Sequence, residues 1–137
     1  MAVVGFNFTN IIAEKKQVSK GKIRISNNVA IEKVEKSTFS IGQDTQDTLK
    51  FTFKFVSKFE PDVGAIELIG NLVVIEAKEQ VQEIEEMWKK GKKLPKEVMT
   101  EVLNVVLARC NTQALILSRD INLPSPIPLP KVKIKNA

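Results

Sequence analysis

The residue types that most often carry chemistry are scarce in this chain. It has no histidine and no tyrosine, which removes the commonest general base, the commonest nitrogen metal ligand and the phenolic acid. Its single cysteine, Cys110, allows no intrachain disulfide and no cysteine-rich zinc site. Cys110 falls among apolar residues at helical spacing, where a thiol packs as a small hydrophobe. A nucleophilic thiol wants an exposed electropositive setting and a base. The carboxylates are scattered, or gathered at Glu83, Glu85 and Glu86 in a pattern that reads as a solvated face. Gly64 and Gly70 stand singly among strand formers, so no glycine-rich phosphate loop is present. Lys89-Lys-Gly-Lys-Lys93 has the charge to meet phosphate, but it reads more simply as a helix end and a loop. The expectation is a protein with no catalytic residues, no cofactor and no required metal.

Function must then reside in surfaces. At 137 residues with 43% apolar and 27% charged side chains, the chain fits one globular domain spanning 1–137. No apolar run reaches the roughly 18 residues of a membrane span, so no membrane insertion is expected. Met1-Ala-Val-Val-Gly-Phe6 lacks the basic and apolar regions of a secretion signal, which predicts a cytoplasmic protein. The formal charge of +5 comes almost wholly from lysine. The only arginines are Arg24, Arg109 and Arg119, whereas phosphate and base recognition favours the guanidinium fork. Nucleic acid is therefore not an expected partner.

The first 77 residues read as a sheet. Val4, Phe6 and Phe8 fall on one face of a first strand. A second run from Lys22 to Lys36 is interrupted by Asn27-Asn28, which suggests a bend, a bulge or two short strands. Gly42 to Asp47 is turn-like. Leu49, Phe51, Phe53 and Phe55 alternate with Lys50, Thr52 and Lys54, the signature of an antiparallel sheet covered on one side. Glu60-Pro61-Asp62 with Gly64 makes a turn, and Ala65–Ala77 is a long strand. Four antiparallel strands in sequence order are the simple expectation.

The period then changes. Over 79–90, Val81, Ile84 and Trp88 share a helix face. The acidic start and basic end suit the helix dipole, and Gly91 is a natural stop. A long helix over 95–119 opens at Pro95. Its apolar residues, among them Val102, Val106, Cys110 and Leu117, cover an arc of roughly 200°, about twice what one sheet face needs. Thr100, Asn104, Asn111 and Ser118 make up the polar remainder. The excess arc predicts an oligomer interface at Val102, Val106, Cys110 and Leu117. The segment 121–137 carries alternate prolines, which favour polyproline II. The predicted fold is α+β: a four-stranded antiparallel sheet packed by a long C-terminal helix, with a short amphipathic crossover helix between them.

This order of parts resembles the SecB family of protein-export chaperones, and its archaeal members most. The stretches that carry the likeness are Phe6-Asn-Phe-Thr-Asn-Ile-Ile-Ala13, Leu49-Lys-Phe-Thr-Phe-Lys-Phe-Val56, Val74-Ile-Glu-Ala77, Leu94-Pro-Lys-Glu-Val-Met-Thr-Glu-Val-Leu103 and Ile121-Asn-Leu-Pro-Ser-Pro-Ile-Pro-Leu-Pro130. The resemblance implies an ATP-independent holdase that forms a dimer or a dimer of dimers and holds unfolded polypeptides on apolar grooves. Two features depart from the bacterial pattern. The chain is basic where the family's SecA-facing surface is acidic, and its crossover is a charged helix. Holding clients is the part that carries over. The alternatives are a non-catalytic adaptor for one specific partner, such as an antitoxin-linked chaperone, and a lysine-based nucleic-acid binder. A client groove is expected beside the first helix, lined by Val81, Ile84, Met87 and Trp88, and formed or covered by Leu123, Ile127 and Leu129 of the tail.

Overall fold

A computed structural model describes residues 1–16 and 21–134; the last three residues of the predicted tail lie outside the described residues. The chain runs β1 (Ala2–Lys15), β2 (Arg24–Ile41), β3 (Asp44–Glu60), β4 (Gly64–Ile75), α1 (Lys78–Gly91) and α2 (Lys96–Asp120). All strands pair antiparallel, and the sheet order is β1-β4-β3-β2. The sheet is therefore not in sequence order. Strands β2, β3 and β4 form a meander, and β1 lies beside β4, a Greek-key arrangement. The expectation of sequential neighbours fails at β1, which pairs with β4 and leaves β2 at the opposite edge.

Two local readings also change. Asn27-Asn28 does not interrupt β2; the strand continues through them, and its irregularity falls between Ile31 and Lys33. The turn read at 42–47 shrinks to Gly42-Gln43, with Ile41 paired to Asp44. Gly42 takes φ 64°, a value glycine adopts without steric cost at the first position of a two-residue hairpin loop.

The alternation in β3 sets the core. Leu49, Phe51, Phe53 and Phe55 are fully buried, as are Ile66, Leu68, Leu72 and Val74 on the same face of β4. Both helices lie on this face, α2 over β4 and β3, α1 over β2 and β3. In β1, Phe6 pairs with Leu72 and Phe8 with Gly70, so both share that face. Val4 sits at a register shift and is exposed, which separates it from the two phenylalanines. Phe6 stacks on Phe53 with centroids 5.2 Å apart, and Phe8 meets the same ring edge-on at 6.1 Å.

Gly70 makes that aromatic cluster possible. A Cβ there would lie 2.1 Å from the Asn7 carbonyl oxygen and 2.8 Å from the Phe53 ring. One of those neighbours is backbone, so the site cannot relax by turning a side chain. Gly70→Ala is expected to cost about 2 kcal/mol or more, the upper part of the range for overpacking, read as a lowered denaturant midpoint with an unchanged slope.

Candidate functional site

The sequence places two groups of apolar residues around one groove, and the structure separates them. Helix α1 is tied to the middle of β2: the Glu85 carboxylate accepts from the Lys36 backbone N–H at 3.1 Å and from Lys89 Nζ at 3.3 Å. The tail meets β2 at Asn27, whose Nδ2 donates to the Pro126 carbonyl at 2.7 Å. Nine residues of extended strand separate Lys36 from Asn27, about 30 Å. On α1, Val81 and Ile84 are core residues, and Ile84 also borders a shallow cleft with Pro95 and Val98. Trp88 is half-buried against the core, and Met87 is left 42% exposed. The stripe of α1 thus mainly completes the core, because α2 covers β4 and part of β3 and leaves the sheet face toward β2 open. The helix also stops differently from expectation. Lys92, with φ 52°, takes the left-handed position after Gly91 and donates its N–H to the Trp88 carbonyl at 2.7 Å.

The long helix buries a narrower line than its composition suggests. Val102, Val106, Cys110, Ala114 and Ser118 are the buried positions, one every four residues. Each step of four advances about 40° around a helix, so this line winds around α2 as it crosses the sheet. Three of the four residues expected at an oligomer interface, Val102, Val106 and Cys110, are wholly enclosed within one chain and have no surface left to offer a second copy. Leu117 is only half-buried. Ser118, read as polar surface, is buried; its Oγ donates to the Leu115 carbonyl at 2.8 Å. Burial pushes the Cys110 thiol up to about 12 from its ordinary 9.0.

What α2 leaves uncovered lies on its flanks. Val98, Val105, Arg109 and Ile116 are spaced seven, four and seven apart and so share one face. Arg109 sets its guanidinium 4.8 Å from the Phe6 ring centroid, which turns this flank toward β1. Beside it, β1 is paired on one side only, and Val3, Ile11 and Ile12 are exposed along it.

The second uncovered region is at the end of α2. The helix stops in a paired-carbonyl cap: Asn122, with φ 56°, donates its N–H to the Arg119 carbonyl, and Leu123 donates its own to the Ser118 carbonyl at 2.7 Å. Asparagine tolerates the left-handed position this motif requires. Leu123 then drops onto the sheet at Gly64, whose missing Cβ would sit 3.2 Å from a Leu123 methyl. From there the tail crosses to Asn27, passing between two open apolar concavities. One, of about 430 Å³, lies against Leu115, Ile116 and Arg119. The other, of about 600 Å³, lies against Ile25 and Asn27. Leu129, 47% exposed, borders both. Of the predicted tail residues, Leu123 is buried and anchors the tail, Ile127 is half-buried, and Leu129 faces open space. Sequence reading missed Ile25, Asn27, Ile116 and Arg119. Ile116 carried a signal, since it falls at the edge of the apolar arc beside Val98 and Val105, away from the buried line of α2.

Among the described residues no three histidine, cysteine or acidic side chains converge as metal ligands. No described helix is long and apolar enough to cross a membrane.

No protein-family model matches this chain, and no curated protein matches it. A SecB-like chaperone of Mycobacterium tuberculosis, solved in complex with a peptide from an antitoxin, is similar in structure, with a TM-score of 0.48 and 12% identity over 96% of this chain and 88% of its own. A likeness of that size carries no functional weight, and nothing in it supports an archaeal source.

Because Val106 is enclosed by its own sheet, Val106→Asp is expected to unfold the chain rather than merely divide an oligomer. An unpaired buried carboxylate costs several kcal/mol, and loss of the far-ultraviolet dichroism at room temperature would show it. Cys110 in the native protein is expected to resist thiol reagents and to react fully once denaturant is added. The sign with pH follows from its raised value: the stability tied to the neutral buried thiol is complete below about pH 9 and falls as the pH climbs toward 12.

Proposed function

We propose that this protein is a non-catalytic, ATP-independent holdase that binds non-native polypeptide on apolar surface. The observation that carries the reading is the pair of open apolar concavities at the C-terminal end of α2, which share Leu129. Uncovered apolar concavities of this kind mark binding sites. Leu115, Ile116, Leu129 and Ile25 in their lining offer apolar side-chain contact of the kind that varied clients can use. The lysines that give the chain its charge of +5 keep such a surface soluble and attract acidic flanks of clients. The likeness to export chaperones drawn from the sequence points the same way. The lone thiol is in keeping with a reducing compartment such as the cytoplasm.

The same reading includes self-association, through β1 and not through the buried stripe of α2. A 14-residue edge strand with bare apolar side chains invites pairing with another strand. The flank of Val98, Val105 and Ile116 continues that apolar surface onto α2. Two copies related by a twofold axis would each cover the other's edge.

Two measurements test the proposal. Added at equimolar ratio, the protein is expected to delay the light scattering of several unrelated proteins diluted from denaturant, with no nucleotide present; protection of none of them would sink the holdase reading. Ile11→Lys places a charge on the exposed edge and is expected to shift the molar mass from dimer or larger to monomer, with the melting temperature changed by no more than a few degrees. A wild-type chain that is monomeric at micromolar concentration by multi-angle light scattering would refute the assembly.

A further inference from the structure

We infer that the end of the sheet beyond α2 is a binding site for extended chain and that the protein's own segment Pro124–Leu129 is its resident, displaceable occupant. This rests on the holdase reading and adds its regulation.

The tail is firmly held at one place and loosely beyond it. Leu123 is anchored by its N–H on the Ser118 carbonyl and by its methyls over Gly64. Lys15 Nζ adds a contact to the Asn122 carbonyl at 3.3 Å. Past that anchor, Pro126 is buried, but exposure rises to 47% at Leu129, 99% at Val132 and 93% at Ile134. The segment therefore ends as an alternating run of lysine and fully solvated apolar side chains, Lys131-Val-Lys-Ile134, with nothing covering the latter two.

The contact that holds the middle of the tail is directed at backbone. Asn27 Nδ2 donates to the Pro126 carbonyl, and Asn27 Oδ1 accepts from the hydroxyl of the fully buried Ser57. The carbonyl can only accept, so the amide orientation is fixed by its two partners. A donor aimed at a peptide carbonyl reads no side chain, and any extended chain presents the same group. The apolar concavities on both sides of the tail widen the same platform. Prolines at 124, 126, 128 and 130 remove the N–H from alternate residues, so the tail can accept hydrogen bonds but donates few. A client with its N–H groups intact has more to offer the open edge of β2 than the tail does. An occupant held past Leu123 chiefly at Pro126 and poor in donors covers an apolar site in water and yields it to a better ligand. The apparent affinity for clients is then lowered by the fraction of chains in which the tail is seated.

Asn27→Asp isolates the latch. It removes the donor to Pro126 and keeps an acceptor for Ser57, so the buried hydroxyl is not orphaned. The full-length variant is compared with wild type for binding of a fluorescently labelled, permanently unfolded protein by anisotropy. A second full-length variant, with Pro124, Pro126 and Pro128 all replaced by glycine, loosens the tail from its own side. Both are expected to bind the unfolded protein about tenfold more tightly than wild type, and a synthetic peptide of residues 121–134 is expected to reverse the gain by competition. Unchanged or weaker affinity in both variants, with wild type still binding, would overturn the displaceable tail and leave the holdase reading standing. Absence of binding by wild type and variants alike would overturn both. If Asn27→Asp melts early, the glycine variant decides alone.

Discussion

A sheet whose middle strand presents Leu49, Phe51, Phe53 and Phe55 in one row cannot remain in water with that face bare. Each of these side chains is worth about 1.5–3 kcal/mol when buried, and all four are fully buried. Everything else in the fold answers to that row. Helix α2 covers it diagonally, α1 covers what α2 misses over β2, and the aromatic rings of β1 close over Phe53 from the side. Gly70 is required because two strands and a ring converge where a methyl group would stand.

The covering is unequal, and the inequality produces the surfaces available for binding. A helix on a twisted sheet meets it along a winding line, which is why the buried positions of α2 recur every four residues from Val102 to Ser118. A line that narrow leaves the flanks of an apolar helix in the open. One flank faces β1 and its bare edge. The other end of the helix delivers the tail. Strand β2, the opposite edge, is treated differently: Glu85 occupies the Lys36 N–H, and Asn27 holds the tail against it. One edge is thus guarded by the chain itself, and the other stands bare.

Period-two alternation made β3 and the covered face readable, because a strand buried on one side has no other solution to its pattern. The two helices were readable for the same reason at period 3.6, to within a residue at each end. Strand order was not, since the pairing of β1 with β4 depends on a contact between residues more than fifty positions apart that leaves no local trace. The role of Asn27 was hidden because an asparagine in a strand looks like a break until its amide is seen to have two partners. Val81 and Ile84 were misplaced into a groove because an apolar stripe on a helix shows that it is buried, not what buries it. The composition of α2 correctly indicated more apolar surface than one sheet face can use, but it could not say that Val102 and Val106 belong to the sheet and Ile116 to the outside.

The Greek-key order also sets the sequence of events during synthesis. The β2–β3 hairpin can close as soon as it emerges, since its two-residue loop brings neighbours together. Strand β1 is made first, yet its partner β4 is translated about fifty to seventy residues later, with Lys15 meeting Gly64 and Ala2 meeting Ile75. Throughout that interval a growing chain carries β1 with its isoleucines and phenylalanines unpaired on both sides. Long-range pairings of this kind are slow to form and are exposed to aggregation while they wait. On the ribosome, the first strand of this chain therefore waits longest for the partner that covers it.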